Sequence, residues 1–147
     1  MKPIASIFGI GYIKGGGTVA AIAAALLWYF MHPVFGAQLL LLSVITVLGV
    51  YAGNKVEAEW GKDSSKVVID EVAGMFLSLL LIPVHWITVL AALVLFRFFD
   101  IVKPLGVRRM EVFKGGWGVM ADDLLAGLYA NIVLQLLLQL HLFPEII

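Results

Sequence analysis

The sequence predicts an all-α protein, a polytopic membrane bundle of about five helices with its charged helix ends gathered on one side. Three observations carry this. The 147 residues are 62% hydrophobic with a mean hydropathy of +1.03, more than a soluble core of this size can bury. No Asp, Glu, Lys or Arg occurs from Gly15 to Asn54, from Val72 to Phe96 or from Leu124 to Phe143, runs of 40, 25 and 20 residues. A helix needs about 20 apolar residues to cross a bilayer. Nearly all the charge is crowded into the short segments between those runs.

The elements follow in order. Ile4 to Ile13 is a short apolar run after Lys2, followed by Gly15-Gly16-Gly17 rather than a cleavage site. It reads as an interfacial helix, not a signal peptide. The 40-residue run is broken at His32-Pro33 and Gly36, giving spans over Gly17–Met31 and Gly36–Lys55. The 25-residue run is either one span or a hairpin broken at Pro83, with arms Lys66–Ile82 and His85–Lys103. Lys and Arg favour the cytoplasmic side. Only the hairpin puts all ten Lys and Arg, and nine of the ten acids, on one side. The last span follows Lys114-Gly115-Gly116-Trp117-Gly118. The N-terminus is then inside and the C-terminus outside, with Trp28, Tyr29, Trp86 and Phe143 as an outer aromatic belt. A lone chain in lipid must satisfy its backbone internally, hence helices throughout.

The length fits one membrane-embedded domain, residues 1–147. A net charge of zero gives no draw toward nucleic acid. The absence of cysteine removes disulfides, thiolate metal sites and thiol catalysis. The three histidines fall on the outer side, away from the acids, and no Ser/His/Asp set shares a location. Ser64 and Ser65 are candidate helix caps.

The chemistry-bearing residues fall into three groups. The first is Asp63, Asp70, Glu71, Asp122 and Asp123. Asp63 and Asp70 are seven apart, on one face if the helix begins that early. The adjacent pairs repel unless cations compensate, and hard divalent cations such as Mg²⁺ take carboxylate oxygens together with substrate phosphate. Alternatively, the acids complement helix N-termini, worth about 0.3–1 kcal/mol each. Asp70-Glu71-Val72-Ala73-Gly74 and Asp123-Leu124-Leu125-Ala126-Gly127 share an acid-x-x-x-Gly pattern. Each Gly lies one turn above its acid, a bare face on which another helix can approach closely. The second group is the glycine segments Lys14-Gly15-Gly16-Gly17-Thr18 and Lys114-Gly115-Gly116-Trp117-Gly118. They are turns, or phosphate-binding backbone at a helix N-terminus beside a Lys. Neither fits a nucleotide P-loop. The third is Arg97 through Lys103. Arg97 lies about 9 Å deeper than Lys103 and one turn from Asp100, suited to a structural pair or to a phosphate clamp.

These blocks resemble the phosphatidylglycerophosphatase A family of bacterial membrane phosphatases. The resemblance runs from about Gly9 to Leu140. It rests on Gly16-Gly17-Thr18, on Asp63 with Val68-Ile69-Asp70-Glu71-Val72-Ala73-Gly74-Met75, and on Phe96-Arg97-Phe98-Phe99-Asp100-Ile101-Val102-Lys103-Pro104 running on through Gly115-Gly116-Trp117-Gly118 to Asp122-Asp123-Leu124-Leu125-Ala126-Gly127. The family usually has Pro-Gly-Thr where this chain has Gly16-Gly17-Thr18.

The resemblance implies a Mg²⁺-dependent phosphoric monoester hydrolase of the inner (cytoplasmic) membrane that converts phosphatidylglycerophosphate to phosphatidylglycerol at the cytoplasmic face. It implies Asp70, Glu71, Asp122 and Asp123 as catalytic, metal-holding acids, with Asp63 in support. Lys14, Gly17, Thr18, Arg97, Lys103, Gly115 and Gly116 would bind the phosphate. The expected partner is an anionic phospholipid in the membrane, with no nucleic acid and no obligate protein partner. Two other classes compete. One is a small ion or solute transporter using Arg97 and the acid pairs, the other an assembly protein whose acid-x-x-x-Gly faces only pack helices.

Overall fold

A computed structural model describes residues 5–7, 9–12, 16–31, 34–60, 68–102 and 116–140, with backbone only for 57–60 and 116–119. Among them are five α-helices and no strand: α1 (Gly16–Met31), α2 (Phe35–Trp60), α3 (Ile69–Leu79), α4 (Trp86–Val102) and α5 (Gly116–Gln139). The all-α, five-helix expectation holds. Two of the helices, over Phe35–Val56 and Met120–Gln139, are long and apolar enough to cross a membrane. The outer faces carry exposed apolar side chains, among them Leu40, Val47, Leu90, Val94 and Leu136. Such a continuous apolar exterior suits lipid rather than water.

In the N-terminal segment the described residues include a 3₁₀ turn, Ile10–Tyr12, and Ala5 and Ser6 are fully buried rather than held at an interface. The Val68 N–H donates to the Ala5 carbonyl at 2.9 Å, so this segment folds back to cover the start of α3.

α1 presents Ala20, Ala21, Ala24 and Ala25 to the core, a strip of small residues that admits close neighbours. Trp28 continues that face. It is buried and its ring lies 5.1 Å from Phe76, so it is a core residue and not part of an outer belt. Trp86, by contrast, is exposed. α2 runs past the expected end at Lys55 to Trp60.

α3 is the central helix and touches each of the other four. It is also short: its 11 residues rise about 16 Å, against the expected arm Lys66–Ile82. Pro83 explains the early end, because its ring would collide with the Leu79 carbonyl four residues back if the helix continued. The freed backbone groups find side chains. Asn131 Nδ2 of α5 donates to the carbonyls of Leu77 (3.1 Å), Ser78 (3.1 Å) and Leu80 (2.7 Å). Gln38 Oε1 of α2 accepts from the Leu81 N–H at 3.2 Å. Non-helical backbone inside a membrane protein survives only where protein supplies such partners.

The helices alternate in direction. α1, α3 and α5 start at the end where α2 and α4 finish, as the contacts of Gly17 with Glu71, Gly49 with Met120 and Arg97 with Glu71 require.

Candidate metal and phosphate site

Asp70 and Glu71 occupy the first turn of α3, where unpaired N–H groups favour negative charge. Asp122 and Asp123 are different. They lie well inside α5, which has no acid in its first turn. The helix-end explanation therefore covers one pair and leaves the other without a local cause.

What brings the pairs together is the crossing of α3 and α5. A Cβ on Gly127 would overlap the Gly74 carbonyl oxygen, and a Cβ on Gly74 would overlap the Phe96 ring. Two glycines in contact let the backbones approach, and the acids one turn away then face each other. Asp70, Asp122 and Asp123, all buried, offer oxygens within 4.8 Å of one another. Glu71, Asp100 and Asp123 do the same. Asp123 belongs to both groups.

At such separations each pair of ionised carboxylates repels by about 3–4 kcal/mol at an effective dielectric constant near 20. A helix N-terminus returns about 0.3–1 kcal/mol. Protons or cations must supply the difference. Arg97 supplies one cation: its Nη1 donates to Glu71 Oε2 at 2.7 Å and to Asp100 Oδ2 at 2.6 Å. The Glu71 N–H in turn donates to Asp70 Oδ1 at 3.0 Å. Asp123 Oδ2 is buried and accepts no hydrogen bond. A buried, all-oxygen donor set with an unpartnered carboxylate oxygen fits a hard divalent cation such as Mg²⁺.

Of the expected phosphate-binding residues, Gly17 lies beside the cluster. A Cβ there would fall 2.8 Å from Glu71 Oε1. The glycine segments are not loops where the structure describes them: Gly16 and Gly17 form the first turn of α1, and Gly116 begins α5. Gly16 and Gly17 serve close approach, to the Ile10 carbonyl and to Glu71, rather than turn geometry. Thr18 is exposed on that first turn. Lys14, Asp63, Ser64, Ser65, Lys103, Gly115, His32, His141 and Phe143 lie outside the described residues. His85 sits just ahead of α4, at the opposite end from Arg97.

Sequence reasoning missed two residues. Asp100 appeared there only as the mate of Arg97, yet it joins Glu71 and Asp123. Asn131 went unnoticed, although a polar residue eight positions after Asp123, on the face of Asp123 and Gly127, was a visible signal.

The sequence pattern of the family described as phosphatidylglycerophosphatase A matches residues 3–138. The chain belongs to this family. Among curated relatives, a Haemophilus influenzae phosphatidylglycerophosphatase A is 39% identical, covering 86% of this chain and 81% of its own. An Escherichia coli phosphatidylglycerophosphatase A is 33% identical over 76% and 67%. A Bacteroides thetaiotaomicron protein, provisionally named phosphatidylinositol-3-phosphatase, is 48% identical and covers 86% of both chains. No solved structure is a significant match. In this phosphatidylglycerophosphatase A family member, Asp70, Glu71, Asp100, Asp122 and Asp123 gather at one end of the bundle.

Proposed function

We propose that this protein is a Mg²⁺-dependent lipid phosphatase that hydrolyses the terminal phosphomonoester of phosphatidylglycerophosphate at the cytoplasmic face of the inner membrane. The observation that carries the reading is the meeting of Asp70, Asp122 and Asp123 within 4.8 Å in a chain of this family. Hydrolysis adds water across the phosphorus–oxygen bond, leaving phosphatidylglycerol and inorganic phosphate.

Asp70, Asp122 and Asp123 would hold the cation, with Asp63 in support. When bound, the cation would neutralise the phosphate and favour in-line attack. Glu71 and Asp100 hold Arg97, whose guanidinium is fixed at the edge of the cluster and suited to the non-bridging oxygens. Gly17 leaves room for the Glu71 side chain that anchors Arg97, and Lys14, Thr18, Lys103, Gly115 and Gly116 would complete the anion-binding rim. In the sequence, Lys and Arg are crowded into the segments between the apolar runs, next to these acids, which supports a cytoplasmic placement.

The name of the Bacteroides relative favours a second substrate, a phosphomonoester on an inositol headgroup. A transporter gains no support. Beyond Gly74 and Gly127 the core turns apolar with Phe76, Leu79, Ala130 and Leu134, while Ser78 and Asn131 are spent on backbone carbonyls. The deciding experiment is phosphate release by purified protein from a panel of lipid phosphomonoesters, with and without Mg²⁺. Release from phosphatidylglycerophosphate that depends on Mg²⁺ is expected. Selective release from phosphatidylinositol 3-phosphate would move the substrate to the second reading, and no release from any ester would reject the phosphatase.

A further inference from the structure

The geometry points to a carboxylate cluster with two cation positions, of which Arg97 permanently fills one, leaving a single position for a metal ion. This rests on the metal reading above and goes beyond it by fixing the number of ions. The two carboxylate groups share Asp123 and otherwise differ: Asp70 and Asp122 on one side, Glu71 and Asp100 on the other. In the second group a cation is already seated. Arg97 Nη1 lies 2.7 Å from Glu71 Oε2 and 2.6 Å from Asp100 Oδ2, held by carboxylates from two helices. In the first group Asp123 is 1% exposed, and its Oδ2 is buried without a hydrogen-bond partner. Among the described residues no Lys or Arg pairs with Asp70 or Asp123.

Two adjacent metal ions about 3.5–4 Å apart are a common way to carry phosphate chemistry. Here the side chain takes the place of one of them. A guanidinium offers fixed donors to Glu71 and Asp100 without needing to be recruited from solution. A carboxylate shared between the groups couples them, so the occupant of one position influences the affinity of the other.

The test is a count of bound Mn²⁺ in the purified full chain by equilibrium dialysis, with electron paramagnetic resonance on the same samples. The native protein is expected to bind one Mn²⁺ with the spectrum of an isolated ion. Arg97→Gln removes the guanidinium and should admit a second Mn²⁺, coupled magnetically to the first. Arg97→Lys keeps a cation and should stay at one. Two coupled ions in the native protein would overturn the inference while leaving the metal site intact, as would a folded Arg97→Gln protein that still binds one. No bound Mn²⁺ in the native protein would instead reject the metal reading itself. Should Arg97→Gln not fold, the native count still decides.

Discussion

Gly127 of α5 lies directly against the carbonyl of Gly74 in α3, too close for Gly127 to carry a methyl group. Each glycine stands one turn from an acid, so this contact sets the separation of Asp70 and Asp123. Packing and chemistry are thus joined at one helix crossing.

Gly127→Ala should therefore harm both properties. The added methyl meets backbone, which cannot rotate away, and overpacking of this kind costs about 1–3 kcal/mol. Thermal unfolding in detergent should shift downward, and the Mg²⁺ concentration needed for half-maximal activity should rise as the acids are pushed apart. Unchanged values for both would show that the crossing tolerates a wider spacing.

Asp70→Asn and Asp123→Asn separate the metal site from a packing role. Each preserves size while removing a ligand charge. Activity should fall by several powers of ten, because the transition state loses its charge compensation. Folding should survive or improve in the metal-free protein, because carboxylate repulsion is relieved. Activity and thermal stability measured on one variant set check this, and near-normal Mg²⁺-dependent turnover would remove the site as drawn.

Gly17→Val should reduce activity more than stability. Gly17 is helical, so backbone conformation is not at stake. The new side chain would instead push on Glu71, whose Oε1 lies 2.8 Å from the first added carbon. Glu71 in turn anchors Arg97. A raised substrate KM with a nearly unchanged unfolding temperature is expected.

Asn131→Leu should destabilise the bundle by about 1–3 kcal/mol, because carbonyls at the buried end of α3 lose their donor. The lesion lies at the far end of α3 from Asp70, so chemical denaturation should register it more strongly than turnover at saturating Mg²⁺.

The charge distribution makes a topological prediction. Cysteines introduced singly at Ser64 and Val84 of this cysteine-free chain should react with membrane-impermeant thiol reagents from opposite sides of the membrane. Labelling from the same side would remove the α3–α4 hairpin from the membrane topology.

The sequence alone determined the helical class, the number of helices and the gathering of acids at one end, because these follow from where charge is absent and from the length of the apolar runs. The acid-x-x-x-Gly repeats also marked the faces that meet. Tertiary structure decided what local pattern does not encode. α3 stops at Leu79 because the Pro83 ring bars continuation, and the exposed carbonyls are met by Asn131 from a helix some 50 residues away in the chain. Trp28 faces Phe76 instead of the interface because the bundle turns that side of α1 inward. Asp100 joins the cluster because α4 presents Arg97 to Glu71 as well as to its own neighbour. Spacing along one helix reveals which residues share a face. Which carboxylates share a cation depends on how three helices pack, and only the folded chain fixes that.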